Sequence, residues 1–185
     1  IDNNPLVSII INCFNGEKYL HEALRSVLDQ TYKNWEIIFW DNQSNDNSEK
    51  IFKTYKDKRF KYFYATHHSV LYKARSEAIK KASGDIIAFL DTDDIWKEDK
   101  LEKQIPLFNN GDVGLVYSNF YLFYDNNKKT NYKNGYAENP LIHVEATSPI
   151  FALDSPNRLP PNFLAPVVQF EAHLFLLLRD NRFLQ

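Results

Sequence analysis

The strongest constraint on this chain is an alternation: short apolar runs rich in β-branched and aromatic residues are separated by stretches whose apolar residues recur every three or four positions. Val7-Ser8-Ile9-Ile10-Ile11 is the first such run, and its nearly continuous apolar character is the mark of a strand buried on both faces. From Lys18 to Gln30 the pairs Tyr19/Leu20, Ala23/Leu24 and Val27/Leu28 lay one apolar stripe along a helix. Trp35 to Trp40 reads as a second buried strand. It ends in Asp41-Asn42-Gln43-Ser44-Asn45-Asp46, which suits a loop and a helix N-cap ahead of Ile51, Phe52 and Tyr55. Phe60 to Tyr64 gives a third strand, and Leu71 to Ala82 a third helix with Ser83-Gly84 as its expected C-cap. A fourth strand follows Gly84. Lys97 to Asn109 resumes helical spacing until Pro106 must kink or end it, and Val113 to Tyr124 reads as one long aromatic strand. The order β-α-β-α-β-α-β-α-β predicts an α/β fold, a mostly parallel sheet between helical layers, with ligands at the carboxyl ends of the strands.

The fourth strand runs straight into Asp91-Thr92-Asp93-Asp94, three carboxylates in four positions. One Asp would be an ordinary helix cap. Three at one strand end repel one another unless a divalent ion or a hydroxyl-bearing ligand gathers them. Oxygen-only ligands favour Mg²⁺ or Mn²⁺ over zinc, and Mg²⁺ completes its octahedron with water and substrate phosphate. The cluster therefore reads as half of a site, to be completed by a diphosphate. Asn12 to Gly16 and Asp41 to Asp46 should lie on the same rim. Trp96, directly after the acids, is a candidate for stacking on a ligand or for packing under the acidic loop.

Composition narrows the partners. With 22 basic against 24 acidic residues the net charge is -2, which gives no general attraction to nucleic acid or anionic lipid. Cys13 is the only cysteine, so no internal disulfide or cysteine-based zinc site is possible, and its place at the end of a strand marks it as inert core. His67-His68 are adjacent and on an extended loop would point apart, reading as surface histidines rather than a metal pair. Ile1 to Pro5 has neither the basic nor the apolar region of a signal peptide, and the apolar run Leu174 to Leu178 is too short to span a bilayer. The expected location is the cytoplasm, against a membrane face. Six of the eight prolines fall between Pro140 and Pro166, where periodicity is lost. The expected division is a ligand-binding core over residues 1–124 and an irregular extension of the same domain, or a lid over its second substrate, over 125–185.

These residues resemble the nucleotide-sugar glycosyltransferases of the GT-A fold, family 2, an inverting group that builds bacterial surface polysaccharides. The resemblance covers Leu6 to Tyr124. It is carried by Val7 to Asn15, by Ser26-Val27-Leu28-Asp29-Gln30-Thr31-Tyr32, by Trp40 to Asp46, by Ala74-Arg75, by Ala82-Ser83-Gly84-Asp85 and by Phe89 to Asp94. It implies a Rossmann-like, three-layer α/β/α fold and metal-dependent transfer of a sugar from a nucleoside-diphosphate donor, a UDP-sugar, to a hydroxyl of a surface glycan or lipid-linked acceptor. By position it implies that Asn12, Phe14 and Asn15 border the nucleotide and that Asp41 and Asn42 reach the base. Asp93 would approach the ribose, Asp94 with Asp93 would hold Mn²⁺ or Mg²⁺, Asp91 would support that constellation from behind, and Arg75 would point at the same pocket. Asn42 stands where this family often has Asp, and offers both donor and acceptor.

The family's acidic pair on a later helix has no counterpart beyond the matched region, leaving Glu145, Asp154, Glu171 and Asp180 as isolated candidates for the acceptor base. Two rival readings follow. A haloacid-dehalogenase-like phosphotransferase would use Asp91-Thr92-Asp93 as nucleophile and acid, although that motif usually opens its domain and here three β-α units precede it. A non-catalytic nucleotide-sugar-binding domain, or the donor half of a longer enzyme, would need no base.

Overall fold

The structure, a computed structural model, describes residues 4–110, 113–116, 118, 121–122, 133–134 and 150–152. Strands β1 (Val7–Cys13), β2 (Trp35–Asp41), β3 (Phe60–Tyr64) and β4 (Ile86–Phe89) alternate with helices α1 (Leu20–Leu28), α2 (Ser48–Thr54) and α3 (Leu71–Ile79). The four strands lie in the order β3-β2-β1-β4 and pair in parallel. Parallel strands need crossovers that bury both faces, and β1 is buried throughout except for the half-buried Asn12. One face packs Ile9, Ile11, Ile37 and Phe39 against Leu20, Leu24 and Val27 of α1 and Phe52 of α2. The other packs Ile10, Ile38, Ile87 and Phe89 against Ala78 and Ile79 of α3. At about 1.5–3 kcal/mol per large side chain removed from water, these two faces supply the main stabilising term.

Register decides where the rim lies. Cys13 pairs with Asp41 and Asp41 with Tyr64, so β1, β2 and β3 finish level. β4 instead reaches Phe89 opposite Ile10, so the chain from Leu90 onward leaves the sheet beside the last residues of β1. The acidic segment is thereby delivered next to the first loop.

Three expectations change. Gly84 is not the C-cap of α3, which ends at Lys80 in a right-handed conformation, and no glycine among the described residues has positive φ. Gly84 is required by packing: a Cβ there would lie 2.5 Å from the Leu6 carbonyl and 2.8 Å from Ser8 Oγ. The helix expected over Lys97 to Asn109 is α4 (Lys100–Gln104) continued by a 3-10 turn, Ile105–Asn109, with Pro106 at its start. Proline cannot donate to the α ladder, and the tighter turn accommodates it.

The long strand expected over Val113 to Tyr124 is split into β5 (Leu115–Val116) and β6 (Tyr121–Leu122). β5 joins the main sheet through β8 (Ile150–Ala152), which is antiparallel to both β5 and β4, while β6 pairs with β7 (Lys133–Asn134) in a separate ribbon. Ser118-Asn119 interrupts the aromatic run between β5 and β6, and its two parts find different partners. Apart from β7 and β8, residues 125–185 lie outside the described residues, with Glu145, Asp154, Glu171 and Asp180 among them.

Candidate active site

The first loop is shaped by Asn15, whose φ of 56° is the left-handed conformation that asparagine tolerates. It is stitched to the loop after β2 by a ladder of polar contacts. Asn42 N donates to Cys13 O at 2.8 Å, Asn15 N to Ser44 Oγ at 3.0 Å, Gly16 N to Ser48 Oγ at 3.0 Å, and Asn45 N to Asn15 Oδ1 at 2.9 Å. Gly16 also meets the acidic loop, since a Cβ on it would lie 3.0 Å from Thr92. Cys13 beneath is buried, and that burial pushes its thiol pKa up, as an inert core cysteine should behave.

Asp41 is only 1% exposed. Its carboxylate accepts from Ser44 N at 2.7 Å and from the Tyr62 hydroxyl at 2.7 Å. Burial, then the bond to Asp41, pushes the Tyr62 phenol well above its usual range. Asn42 spans to the loop before α3: its Nδ2 donates to Ser69 O at 2.7 Å and its Oδ1 accepts from Ser69 N at 3.1 Å. Asp41 and Asn42 thus lock three loops into one frame. Ser44 reads from sequence as part of a helix-capping stretch, Ser48, Tyr62 and Ser69 carry no signal of their own, and only the polar density of Asp41 to Asp46 points to such a ladder.

The acidic loop is held on two sides. Arg75 of α3 donates from Nη2 to Asp91 Oδ1 at 2.7 Å, and its guanidinium lies 5.3 Å from the centre of the Phe89 ring. On the α1 side the buried Gln30 side chain donates to Lys97 O at 2.6 Å and accepts from Leu101 N at 3.1 Å, while Ser26 Oγ accepts from Trp96 N at 3.1 Å. Trp96 is buried, so its ring packs under the loop rather than offering a platform. Asp93 is exposed and Asp94 half-buried, with Asp94 N donating to Asp91 O at 3.2 Å. Burial brings the Lys100 ammonium down to about 8, opposed by the negative charge of Asp94.

Asn12 completes the rim from β1. Its amide oxygen and nitrogen are buried without a hydrogen-bond partner, as is Nε1 of Trp40, its neighbour in register on β2. Phe14, at 53% exposure, presents an aromatic face beside them. Among the described residues no three His, Cys, Asp or Glu side chains form a ready metal cage. Asp93 and Asp94 do fit a site that a substrate must finish, because Mg²⁺ characteristically takes only one or two protein carboxylates.

The sequence model of glycosyl transferase family 2 matches residues 8–180. The UDP-Glc:alpha-D-GlcNAc-diphosphoundecaprenol beta-1,3-glucosyltransferase WfgD of Escherichia coli is 39% identical over 121 residues, covering 65% of this chain and 48% of that protein. Among solved structures, S. aureus TarS 1-349 in complex with UDP-GlcNAc is 27% identical with a TM-score of 0.55, covering 60% of this chain and 33% of that one. The mannosyltransferase PcManGT of Pyrobaculum calidifontis, in complex with GDP-Man and Mn²⁺, shares the fold at 23% identity and a TM-score of 0.58, covering 63% of this chain and 36% of that one. The chain spans about half the length of the curated relatives it matches. These likenesses assign the GT-A fold, and because the family match runs through Asp91 to Asp94 the haloacid-dehalogenase-like alternative is set aside. With nearly its whole length matched, the chain belongs to glycosyl transferase family 2.

Proposed function

We propose that this chain is the donor-binding core of an inverting, metal-dependent glycosyltransferase that moves a sugar from a UDP-sugar to a hydroxyl of a surface glycan or lipid-linked acceptor. The observation that carries this reading is the meeting of Asp91 to Asp94 with the Asn12 to Gly16 loop at the carboxyl rim, the acidic loop being held by Arg75 on one side and by Ser26 on the other. The names of the similar proteins support the finer choices. WfgD is named for a UDP-Glc donor and a diphosphoundecaprenol-linked acceptor, and TarS was solved with UDP-GlcNAc.

In this reading Asp94 and Asp93 hold Mn²⁺ or Mg²⁺, which when bound would neutralise charge on the departing diphosphate. Arg75, kept in place by Asp91, faces the same charge from α3. Phe14 and the Asn12 to Asn15 loop border the nucleotide, and the Asp41-Asn42 frame fixes the base side. The acceptor oxygen bonds the anomeric carbon as the bond to the diphosphate oxygen breaks, and its proton passes to a carboxylate base, as in inverting sugar hydrolysis. The acceptor is a second substrate, and the candidate bases Glu145, Asp154, Glu171 and Asp180 lie outside the described residues. The acceptor places the chain's work at a membrane face, and among the described residues no helix is long and apolar enough to cross a membrane.

Thermal unfolding tests the donor site. UDP-sugar with Mn²⁺ should raise the melting temperature of this chain, and Asp94→Ala should remove the rise. No rise with UDP, dTDP or GDP sugars would contradict the reading. Transfer, or slow donor hydrolysis, separates an enzyme from a non-catalytic nucleotide-sugar-binding domain, which would bind and do neither.

A further inference from the structure

His67 and His68 read from sequence as surface histidines that point apart, and the structure, where both are exposed, gives them separate partners. His67 Nδ1 lies 3.1 Å from the Thr66 hydroxyl. His68 packs its ring on Phe14, with centroids 4.4 Å apart and planes tilted by 58°, and brings Nδ1 to 2.9 Å from the Asn42 carbonyl oxygen. Both of those neighbours belong to the nucleotide side of the rim.

The chemistry of that contact is determined. A carbonyl oxygen only accepts, so the hydrogen between them belongs to Nδ1. In the neutral ring this leaves Nε2 as an acceptor. The frame beneath is fixed, because Asn42 N is bonded to Cys13 O and the Asn42 side chain is bonded twice to Ser69. An exposed imidazole therefore has its tautomer set by one backbone carbonyl and its ring seated on an exposed phenyl. A lone pair has nothing to offer phosphate oxygens, which at neutral pH chiefly accept. It complements the N–H or O–H of a nucleoside, whose flat base also suits an aromatic face.

We infer that His68 is a nucleotide-recognition residue: its Nε2 accepts a hydrogen bond from the nucleoside of the donor, at a base imide N–H or a ribose hydroxyl, while its ring steadies Phe14. This rests on the donor-site reading above. It adds a specificity residue from the loop before α3, to which the sequence assigned no role.

Calorimetric titration of the 185-residue chain with UDP in the presence of Mn²⁺, alongside His68→Phe and His68→Ala, tests it. His68→Phe keeps an aromatic ring against Phe14 and loses the acceptor, so UDP affinity should fall about fivefold, the worth of one neutral hydrogen bond. His68→Ala loses both and should fall about tenfold or more. One of 2′-deoxy-UDP, 3′-deoxy-UDP and N3-methyl-UDP should carry the same penalty against the natural chain and none against His68→Phe. Which one does so separates ribose from base. If the natural chain binds UDP and both variants bind within about twofold of it, or no analogue loses its penalty in His68→Phe, the inference is overturned while the donor site stands. If the natural chain binds none of UDP, dTDP and GDP, the donor-site reading falls and takes the inference with it. His68 is exposed, so the melting temperatures of all three proteins without nucleotide should agree.

Discussion

At the scale of single residues, three carboxylates that share one short loop have three different surroundings. Asp91 is spent on Arg75, Asp93 is exposed, and Asp94 is half-buried with its charge felt by Lys100. They should fail differently. Asp94→Asn keeps the shape and removes the charge, so transfer should drop on the order of 10²-fold or more, with loss of metal-dependent nucleotide binding. Asp91→Asn frees the Arg75 guanidinium instead. Donor KM should rise several-fold while metal dependence persists, and a metal titration of both variants reads the difference. The acids stood out in the sequence because three carboxylates at one strand end repel one another. The burial of Asp41 did not, because it depends on a tyrosine from a neighbouring strand and on Ser44 closing the turn.

At the scale of elements, the end of the sheet opposite the rim is fastened by a polar clamp. Glu36, nearly buried on β2, is ion-paired to Lys61, accepts from Ser8 Oγ at 2.7 Å and accepts from Ser83 N at 2.8 Å, while Ser8 Oγ also accepts from Gly84 N at 2.8 Å. Burial alone would raise the Glu36 pKa, but Lys61, Ser8 and Ser83 together hold it below the ordinary 4.5. A carboxyl held low when folded stabilises above its unfolded pKa and loses that contribution as pH falls through the folded value. Glu36→Gln should therefore cost about 2 kcal/mol near neutrality. Urea unfolding at a series of pH values should show that gap shrinking below about pH 4.5. Gly84→Ala, with no room beside Leu6 and Ser8, should cost about 2–3 kcal/mol without altering the rim.

The same scale explains what the sequence concealed. Helix and strand periods are local, so β1 to β4 and α1 to α3 could be read in order. Glycine at the α3–β4 turn looked like a cap because helix ends commonly carry one, whereas its reason is a close approach to β1 contributed from far away in the chain. The split of β5 from β6 is nonlocal in the same way, since it is decided by pairing with β8 and β7.

At the scale of the whole molecule, the level ends of β1, β2 and β3 and the early end of β4 make one polar rim from four separate loops. Anchors that lie away from it, among them Gln30, Ser26 and Trp96, give the acidic loop a rigid floor. That floor accounts for the Ser26 to Tyr32 segment sharing in the family resemblance although it touches no expected ligand. The most direct test is a crystal structure of the chain soaked with UDP and Mn²⁺. An ion coordinated by Asp94 and Asp93 and by the diphosphate is the expected result, with the base lying along Phe14 and the Asn42 frame. An ordered map in which both side chains make only ordinary hydrogen bonds, with no ion and no nucleotide at the rim, would contradict it.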